Sequence, residues 1–390
     1  MKICATVAEY NPLHNGHLKH IDYIKRELKA EKLIVLMSGN FTQRGEPAIL
    51  DKFTRARHAI LAGADLVIEL PTVFATANAE IFATGAMNII NRLNVVDGVC
   101  FGVESGDKTA YYNLARAMLN ESKEFKRVLK EKLDGGISLA KAKFETVKEL
   151  SNDEFDSSLI SSPNNILGLE YTKALIKNDS DIKIYPMLRD GDHNDLTLKK
   201  GITSASSIRN AIRQGERKKI KKCVPPFSYQ DIKGYPFAFD KLIISSAVTA
   251  TADGLSRIAD CTEGLENRIK ALCKDNHTID DLVEKVSTKR YTKTRINRIL
   301  TANFLGIEQK LVEDCLENKL YAKILAVESN SKDLISLISK KADLPVLTRK
   351  SDADQLKKAA NRCFEKDALS CDLYSVATDI KLNENNMLII

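Results

Sequence analysis

His14 and His17 stand three residues apart, with Gly16 between them, in the run Glu9-Tyr10-Asn11-Pro12-Leu13-His14-Asn15-Gly16-His17. An apolar strand over residues 2–8 leads into this run, and a helix is expected to begin at Gly16 or His17. The first turn of a helix presents unpaired N–H groups and the positive end of its dipole, a setting that suits a phosphate. Pro12 and Gly16 shape a tight loop, and a side chain at Gly16 would obstruct the backbone's approach to a ligand. Two imidazole N–H groups aimed at such an anion would stabilise an α-phosphate while five oxygens surround its phosphorus. The plain alternative is a pair of histidines packing around a loop.

Other residues with chemical potential are less specific. The polar run 38–47 follows an apolar strand, at the edge where open α/β sheets bind ligands, and Arg44, Lys52 and Arg55 bring cations to it. Arg57 is read as part of a solvated helix face. Asp65 and Glu69 flank a strand, where Asp65 would end a loop and Glu69 would make a structural ion pair rather than hold a metal. The run Asp190-Gly191-Asp192-His193-Asn194-Asp195 imitates a calcium loop but lacks its terminal glutamate, so it reads as a polar loop. His58 and His277 have no motif around them. Two basic stretches stand out, 217–222 and 289–298, the second carrying Tyr291 and no acidic residue. Arg295 and Arg298 share a helical face, which would hold phosphates while Tyr291 stacks on a base. A solvated helix is the bland reading of the same charges.

The elements that must position these residues alternate up to about residue 215. Strands are expected over 2–8, 32–38, 65–70, 95–103 and 182–188, and helices over 17–28, 51–62, 79–93 and 206–214. Apolar strands alternating with helices argue for a parallel sheet covered on both faces. Residues 107–180 read as a polar, mostly helical insertion between two strands. After Gln214 the composition turns basic, and residues 240–325 read as helical without strands. Short strands are expected at 344–348 and near the C-terminus.

The chain has 390 residues, 44% of them hydrophobic and 28% charged, a balance that allows a large core in two or three domains. No apolar stretch is long enough to span a bilayer, and residues 1–10 lack the features of a signal peptide. Eight scattered cysteines without a Cys-x-x-Cys pair argue against a disulfide framework or zinc site and for a cytoplasmic protein. Cys4 and Cys100 read as structural strand residues. A net charge of +7 is compatible with an RNA partner but does not establish one.

The run Asn11-Pro12-Leu13-His14-Asn15-Gly16-His17 resembles the His-x-Gly-His signature of the nucleotidyltransferase superfamily, placed after its first strand. Thr203-Ser204-Ala205-Ser206-Ser207-Ile208-Arg209 resembles that superfamily's Ser-Ser-Thr-x-x-Arg motif, with Ala205 and Ser206 departing from it. Segments 7–17, 38–56, 63–71, 101–105, 162–171, 262–269 and 288–300 extend the likeness, so that most of the chain resembles the bacterial tRNA(Met) cytidine acetate ligase family. This resemblance implies an α/β fold: a Rossmann-like, HUP-type nucleotidyltransferase domain with a parallel sheet over 1–223, and a mostly helical, basic, RNA-binding domain over 224–390.

The same resemblance implies ATP contacts along Val7, Ala8, Glu9, Tyr10, Asn11, Pro12 and Leu13, then His14, Asn15, Gly16, His17, Leu18, Lys19 and His20. Gly102, Asn164, Arg189, Ser206 and Arg209 complete the set, with Asn165 a rival to Asn164. His14 and His17 would be catalytic. Acetate is expected near Asn40, Arg44 and Lys52, since a small carboxylate needs charge-assisted partners and an apolar wall for its methyl group. Elongator tRNA(Met) would lie on Lys289, Arg290, Tyr291, Lys293, Arg295 and Arg298. Mg²⁺ is expected to travel with ATP, on phosphates and water, without a protein metal site. No membrane and no obligate protein partner is implied. Two rivals remain: a small-molecule adenylyltransferase acting on a phosphorylated cofactor precursor, and a non-catalytic, nucleotide-regulated RNA-binding protein.

Overall fold

Five short apolar runs become parallel strands; the first four are mostly buried on both faces, and a strand with little solvent face reads as continuous hydrophobic sequence, while the fifth, at the sheet edge, is partly exposed. They are β1 (Ile3–Ala8), β2 (Lys32–Ser38), β3 (Leu66–Leu70), β4 (Gly98–Val103) and β5 (Lys183–Leu188), in the order β5-β4-β1-β2-β3. The computed structural model describes residues 1–135, 139–151, 155–189, 203–276, 278–288 and 290–390. β1 pairs with β2 on one side and β4 on the other, so the connections reverse direction beside it. That reversal opens a crevice at the C-terminal ends of β1 and β4, where α/β sheets bind ligands.

Helices cover both faces. On one side lie α1 (Asn15–Asp22), which continues as a π-turn over Tyr23–Glu27, and α2 (Lys52–Leu61). Their Leu13, Ile21, Ile24, Ala56 and Ala59 environment meets Cys4, Leu33, Val35, Met37 and Cys100 of the sheet. The other face meets α3 (Thr72–Ala75), α4 (Ala79–Arg92) and the insertion, which comprises α5 (Lys108–Leu119), α6 (Lys123–Asp134), α7 (Leu139–Leu150) and α8 (Pro163–Lys177). Side chains that cap helix starts make the boundaries legible: Asp51 accepts from Phe53 and Thr54 N–H, Asn78 from Ile81, and Ser162 from Asn165. After β5 comes α9 (Ala205–Arg213), capped by Ser204.

The C-terminal part contributes α10 (Pro226–Asp231), α11 (Ala238–Thr249), α12 (Ala252–Ser256), α13 (Leu265–Leu272), α14 (Ile279–Val286), α15 (Lys293–Leu305) and α16 (Gln309–Glu317). It then returns to the sheet. Residues 240–325, expected to be helical without strands, run into one: β6 (Ala322–Val327) is a strand, every residue of it buried, antiparallel to β3. Periodicity does not separate a short, fully buried strand from a buried helical segment. α17 (Lys332–Lys341), β7 (Val346–Leu347), α18 (Lys358–Thr378) and β8 (Leu388–Ile389) complete the chain, with β7 and β8 both parallel to β6. The sheet therefore takes strands from both halves of the sequence.

The loop after β2 joins those halves. Phe41 packs edge-on against Phe239 of α11 at 5.6 Å, and Thr301 of α15 donates to the Gly45 carbonyl at 2.7 Å. Gly45 has φ +71°, and a Cβ there would sit 2.4 Å from the Arg298 backbone nitrogen. The eight cysteines are all buried, and none is joined to another by a disulfide. Among the described residues no helix is long and apolar enough to cross a membrane.

Candidate active site

β1 ends at Ala8, and the chain turns sharply through Tyr10, which takes a left-handed φ of +47°. For a bulky residue this is a strained conformation, held because the surroundings over-determine it. Asn11 accepts from Ile49 N–H at 2.9 Å, and its carbonyl takes Arg209 Nη1 at 3.0 Å. Arg55, fully buried, donates to the carbonyls of Glu9, Ser38, Gly39 and Leu50 and so ties the ends of β1 and β2 together.

His14 is the N-cap of α1. Gly16 N–H donates to its Nδ1 at 3.0 Å, while His14 N–H donates to Nδ1 of His17 at 3.2 Å. The rings stack with centroids 3.7 Å apart, and Tyr10 meets His17 edge-on at 4.9 Å. Because each Nδ1 accepts a hydrogen bond, the hydrogen bonds assign the proton of each ring to Nε2. Burial pushes His17 well below the ordinary histidine range, with His14, Arg189 and His20 adding to it. Burial and then Arg189 lower His20 to about 4; its Nε2 lies 3.2 Å from Cys100 Sγ. His17 and His20 are thus neutral at pH 7.

Both histidines line a cavity of about 240 Å³ in the crevice between β1 and β4. Val7, Ala8, Glu9, Tyr10, Asn11, Gly16, Lys19, His20, Gly102, Asn164, Arg189, Ser206 and Arg209 line it as well. Pro12, Leu13, Asn15 and Leu18 do not. Leu13 is fully buried in the core beneath, Leu18 packs at the edge of that core, and Asn15 donates its amide to the Lys222 carbonyl at 2.9 Å. Gly102 lies under the Arg189 stem, since a Cβ there would come 2.8 Å from Arg189 Cδ. The paired asparagines differ in burial and partners. Asn165 is spent on Glu104 N–H, Ser105 and the Ser158 carbonyl, whereas Asn164 lines the cavity and donates to Glu104 at 2.6 Å. On α9, Ser204 and Ser207 bond each other, leaving Ser206 and Arg209 on the cavity side. The first turns of α1 and α9 therefore both face this space.

Of the three acetate candidates only Arg44 lines the cavity. Lys52 is turned away, which corrects that expectation: its fully buried ammonium is held by both Glu69 oxygens, at 2.9 and 3.0 Å, and by Glu384. Asn40 accepts from Lys52 N–H at 2.8 Å as a cap of α2. Glu69 is a structural ion-pair partner, also 3.1 Å from Lys323, and Asp65 receives Lys25, Ser331 and Leu33 N–H. No cluster able to hold a metal occurs among the described residues. His58 is pinned between Asp231, at 2.7 Å, and Ser228, and Arg57 pairs with the same aspartate. His277 and the 190–195 run lie outside the described residues.

The basic stretch is more neutral in space than in sequence. Arg295 and Arg298 turn onto Asp260, at 3.3 and 3.0 Å, and Arg290 pairs with Glu263 at 2.7 Å. Lys293 pairs with Glu284, and Tyr291 donates to the Glu263 carbonyl. The Arg290 and Lys293 side chains stay 67% and 60% exposed, whereas Arg295 and Arg298 are 19% and 13% exposed. The two residues first placed on one phosphate-binding face are thus largely structural; Lys289 lies outside the described residues. In the other stretch, Arg217 donates to the carbonyls of Tyr229 and Ile232.

The reading of the residues missed the cavity's apolar side. Phe82 of α4, Phe101 of β4 and Leu167 and Tyr171 of α8 line it, with Gln43, Met187 and Pro163. Their individual patterns are those of ordinary core residues, and only the topology brings them to one space.

Residues 1–387 match the family model described as HIGH Nucleotidyl Transferase. A tRNA(Met) cytidine acetate ligase of Caldanaerobacter subterraneus subsp. tengcongensis is 37% identical over 97% of this chain and 96% of its own. One of Acetivibrio thermocellus is 38% identical over 96% and 94%. The crystal structure of Thermotoga maritima TmcAL in its apo form superposes with a TM-score of 0.94 at 29% identity, covering all of both chains. The same protein bound with alpha-thio ATP superposes with a TM-score of 0.91.

Proposed function

Since the chain belongs to the tRNA(Met) cytidine acetate ligase family of HIGH nucleotidyl transferases, we propose that it is an ATP-dependent ligase that acetylates the N4 amine of the wobble cytidine of elongator tRNA(Met). An acetate oxygen attacks the α-phosphorus of ATP, pyrophosphate leaves, and acetyl-adenylate remains. The cytidine amine then attacks the acetyl carbonyl, and AMP leaves.

One observation carries the first step: two stacked imidazoles with their protons on Nε2, set in a cavity faced by the starts of two helices. Neutral donors suit charge that grows in the transition state, because they need no counter-ion in the resting site. His14 and His17 serve the α-phosphate. Ser206 and Arg209, on the first turns of α9, serve the outer phosphates. Gly102 and Arg189 accept the adenosine. Arg44 is the cation placed to hold the acetate carboxylate. Mg²⁺ enters on the phosphates and their water.

We divide the work between residues 1–223, which activate acetate, and residues 224–390, which hold tRNA with Arg290 and Lys293 at the exposed end of α15. The reaction belongs in the cytoplasm with its tRNA. Incubating the protein with ATP, labelled acetate and bulk tRNA tests the reading. Label on tRNA that requires both ATP and acetate is the expected result. Nucleotide transfer to a small phosphate ester, or binding without turnover, would overturn it in favour of an adenylyltransferase or a non-catalytic RNA-binding protein.

A further inference from the structure

The cavity straddles the edge of the sheet, and its two sides differ in chemistry. Successive residues of a strand face opposite ways. On β4, Cys100 belongs to the core under α1, while Phe101 belongs to the core under α4 and α8. Gly102, in register with Met187, opens the α1 side. Phosphate donors, His20, Met187 and Arg189 are gathered there, which is what ATP requires.

The other side is apolar where α4 and α8 meet it. Phe82, Phe101, Leu167 and Tyr171 wall it, with Phe101 and Tyr171 centroids 5.6 Å apart. Gly168 permits that packing, since a Cβ there would come 2.6 Å from the Phe101 ring. Among the described residues one carboxylate, Glu9, lines the same cavity. Gln43 N–H donates to its Oε1 at 2.8 Å and so orients it, while the Glu9 carbonyl is held by Arg55 at 2.6 Å. Burial, and secondarily the Glu9 charge, raises the Tyr171 hydroxyl.

Flat apolar walls with a fixed carboxylate acceptor suit a heteroaromatic base that carries an exocyclic amine. We propose that this lobe receives the acceptor cytosine and that Glu9 is the group that takes the proton from its amine, an inference that rests on the ligase reading above. A cytosine amine is a weak nucleophile because its lone pair is delocalised into the ring. As N4 bonds to the acetyl carbon, the nitrogen becomes cationic and must lose a proton. The bond from the acetyl carbon to the AMP phosphate oxygen breaks and its electron pair leaves on AMP. The N4 proton passes to the Glu9 carboxylate and then to water. The same carboxylate selects against uracil, whose O4 would confront it as a second acceptor.

The two half-reactions separate this role from ATP binding. Glu9→Gln keeps an oxygen for Gln43 N–H but is not a base. Measured against acetate-dependent ATP–pyrophosphate exchange, its single-turnover transfer to a tRNA(Met) transcript falls at least 30-fold relative to wild type. Glu9→Asp, which keeps a carboxylate, restores part of the transfer rate. Phe82→Ala raises the tRNA concentration needed for transfer more than the ATP concentration needed for exchange. Equal loss of exchange and transfer in Glu9→Gln, or a tenfold rise in KM for ATP in both variants, overturns the assignment and gives the lobe to adenine. Wild-type protein that exchanges pyrophosphate yet labels no tRNA overturns the ligase reading itself.

Discussion

At the scale of single residues, the site works by controlling where protons sit. Nδ1 of His17 is occupied by a backbone N–H and burial keeps the ring neutral, so its remaining proton is a hydrogen-bond donor at any physiological pH. Removing one such donor from a charge-stabilising site costs about 100-fold or more in rate. His17→Ala should therefore reduce acetate-dependent pyrophosphate exchange by that factor while tRNA retention on filters is kept; unchanged exchange would refute the assignment. His20 supports a stability measurement. Its folded value of about 4 lies below the unfolded value of about 6.5. Between those pH values the unfolded chain holds a proton that the folded chain lacks, so stability falls as pH drops from about 6.5 to about 4. The partly exposed ring makes this on the order of 2 kcal/mol. Urea melts at pH 7 and 4.5 should show a smaller difference for His20→Asn than for wild type. At this scale the histidines, Gly102 and Arg209 were legible because each belongs to a motif tied to a strand end or helix start. Phe82 and Tyr171 were not, since a residue that walls a ligand and one that fills a core look alike until the fold places them.

At the scale of elements, the loop after β2 transmits position from the C-terminal helices to the nucleotide cavity. Gln43 and Arg44 line the cavity, and the next residue, Gly45, is pressed against α15. Two glycines with nearly equal φ separate conformational cost from contact: Gly45 at +71° and Gly215 at +76°, the latter with nothing within 4 Å of a would-be Cβ. Gly215→Ala should cost about 1 kcal/mol, the penalty of the left-handed conformation alone. Gly45→Ala should cost at least about 3 kcal/mol, because its Cβ also meets the α15 backbone, and the shifted loop should lower acetate activation. Similar melting midpoints for the two variants would remove α15 as the support of this loop. The five N-terminal strands and the helices between them were readable, because buried parallel strands are unbroken apolar runs and because Asp51, Asn78 and Ser204 announce helix starts. β6 was not, for its six residues carry no period. The orientation of Arg295 and Arg298 was hidden as well, since the carboxylate that claims them, Asp260, lies 35 or more residues away in sequence.

At the scale of the whole molecule, the C-terminus closes the structure electrostatically. Lys52 of α2 and Lys323 of β6 are buried beside Glu69 of β3, and the last segment of the chain brings Glu384 to both lysines, 2.8 Å from Lys323. Glu69 also underlies the active-site loop, since a Cβ on Gly39 would come 2.6 Å from its Oε1. A buried ion pair adds little over an apolar substitute, but losing one member strands the others in low dielectric. Burial alone would raise Glu384; Lys52 and Lys323 outweigh it and hold the carboxyl down to about 2. An acid depressed in the folded state contributes stability that is complete above its unfolded value, about 4.3, and is lost as pH falls toward 2. Glu384→Gln should therefore destabilise the protein by about 3 kcal/mol at pH 7. The gap to wild type should be constant from pH 7 to about 5 and should narrow by pH 3.5, where the wild-type carboxyl begins to lose its advantage. Urea melts at these three pH values read the effect directly. A gap that stays the same at pH 3.5 would mean that Glu384 acts through packing, and that the sheet, rather than its charges, joins the tail to the catalytic half.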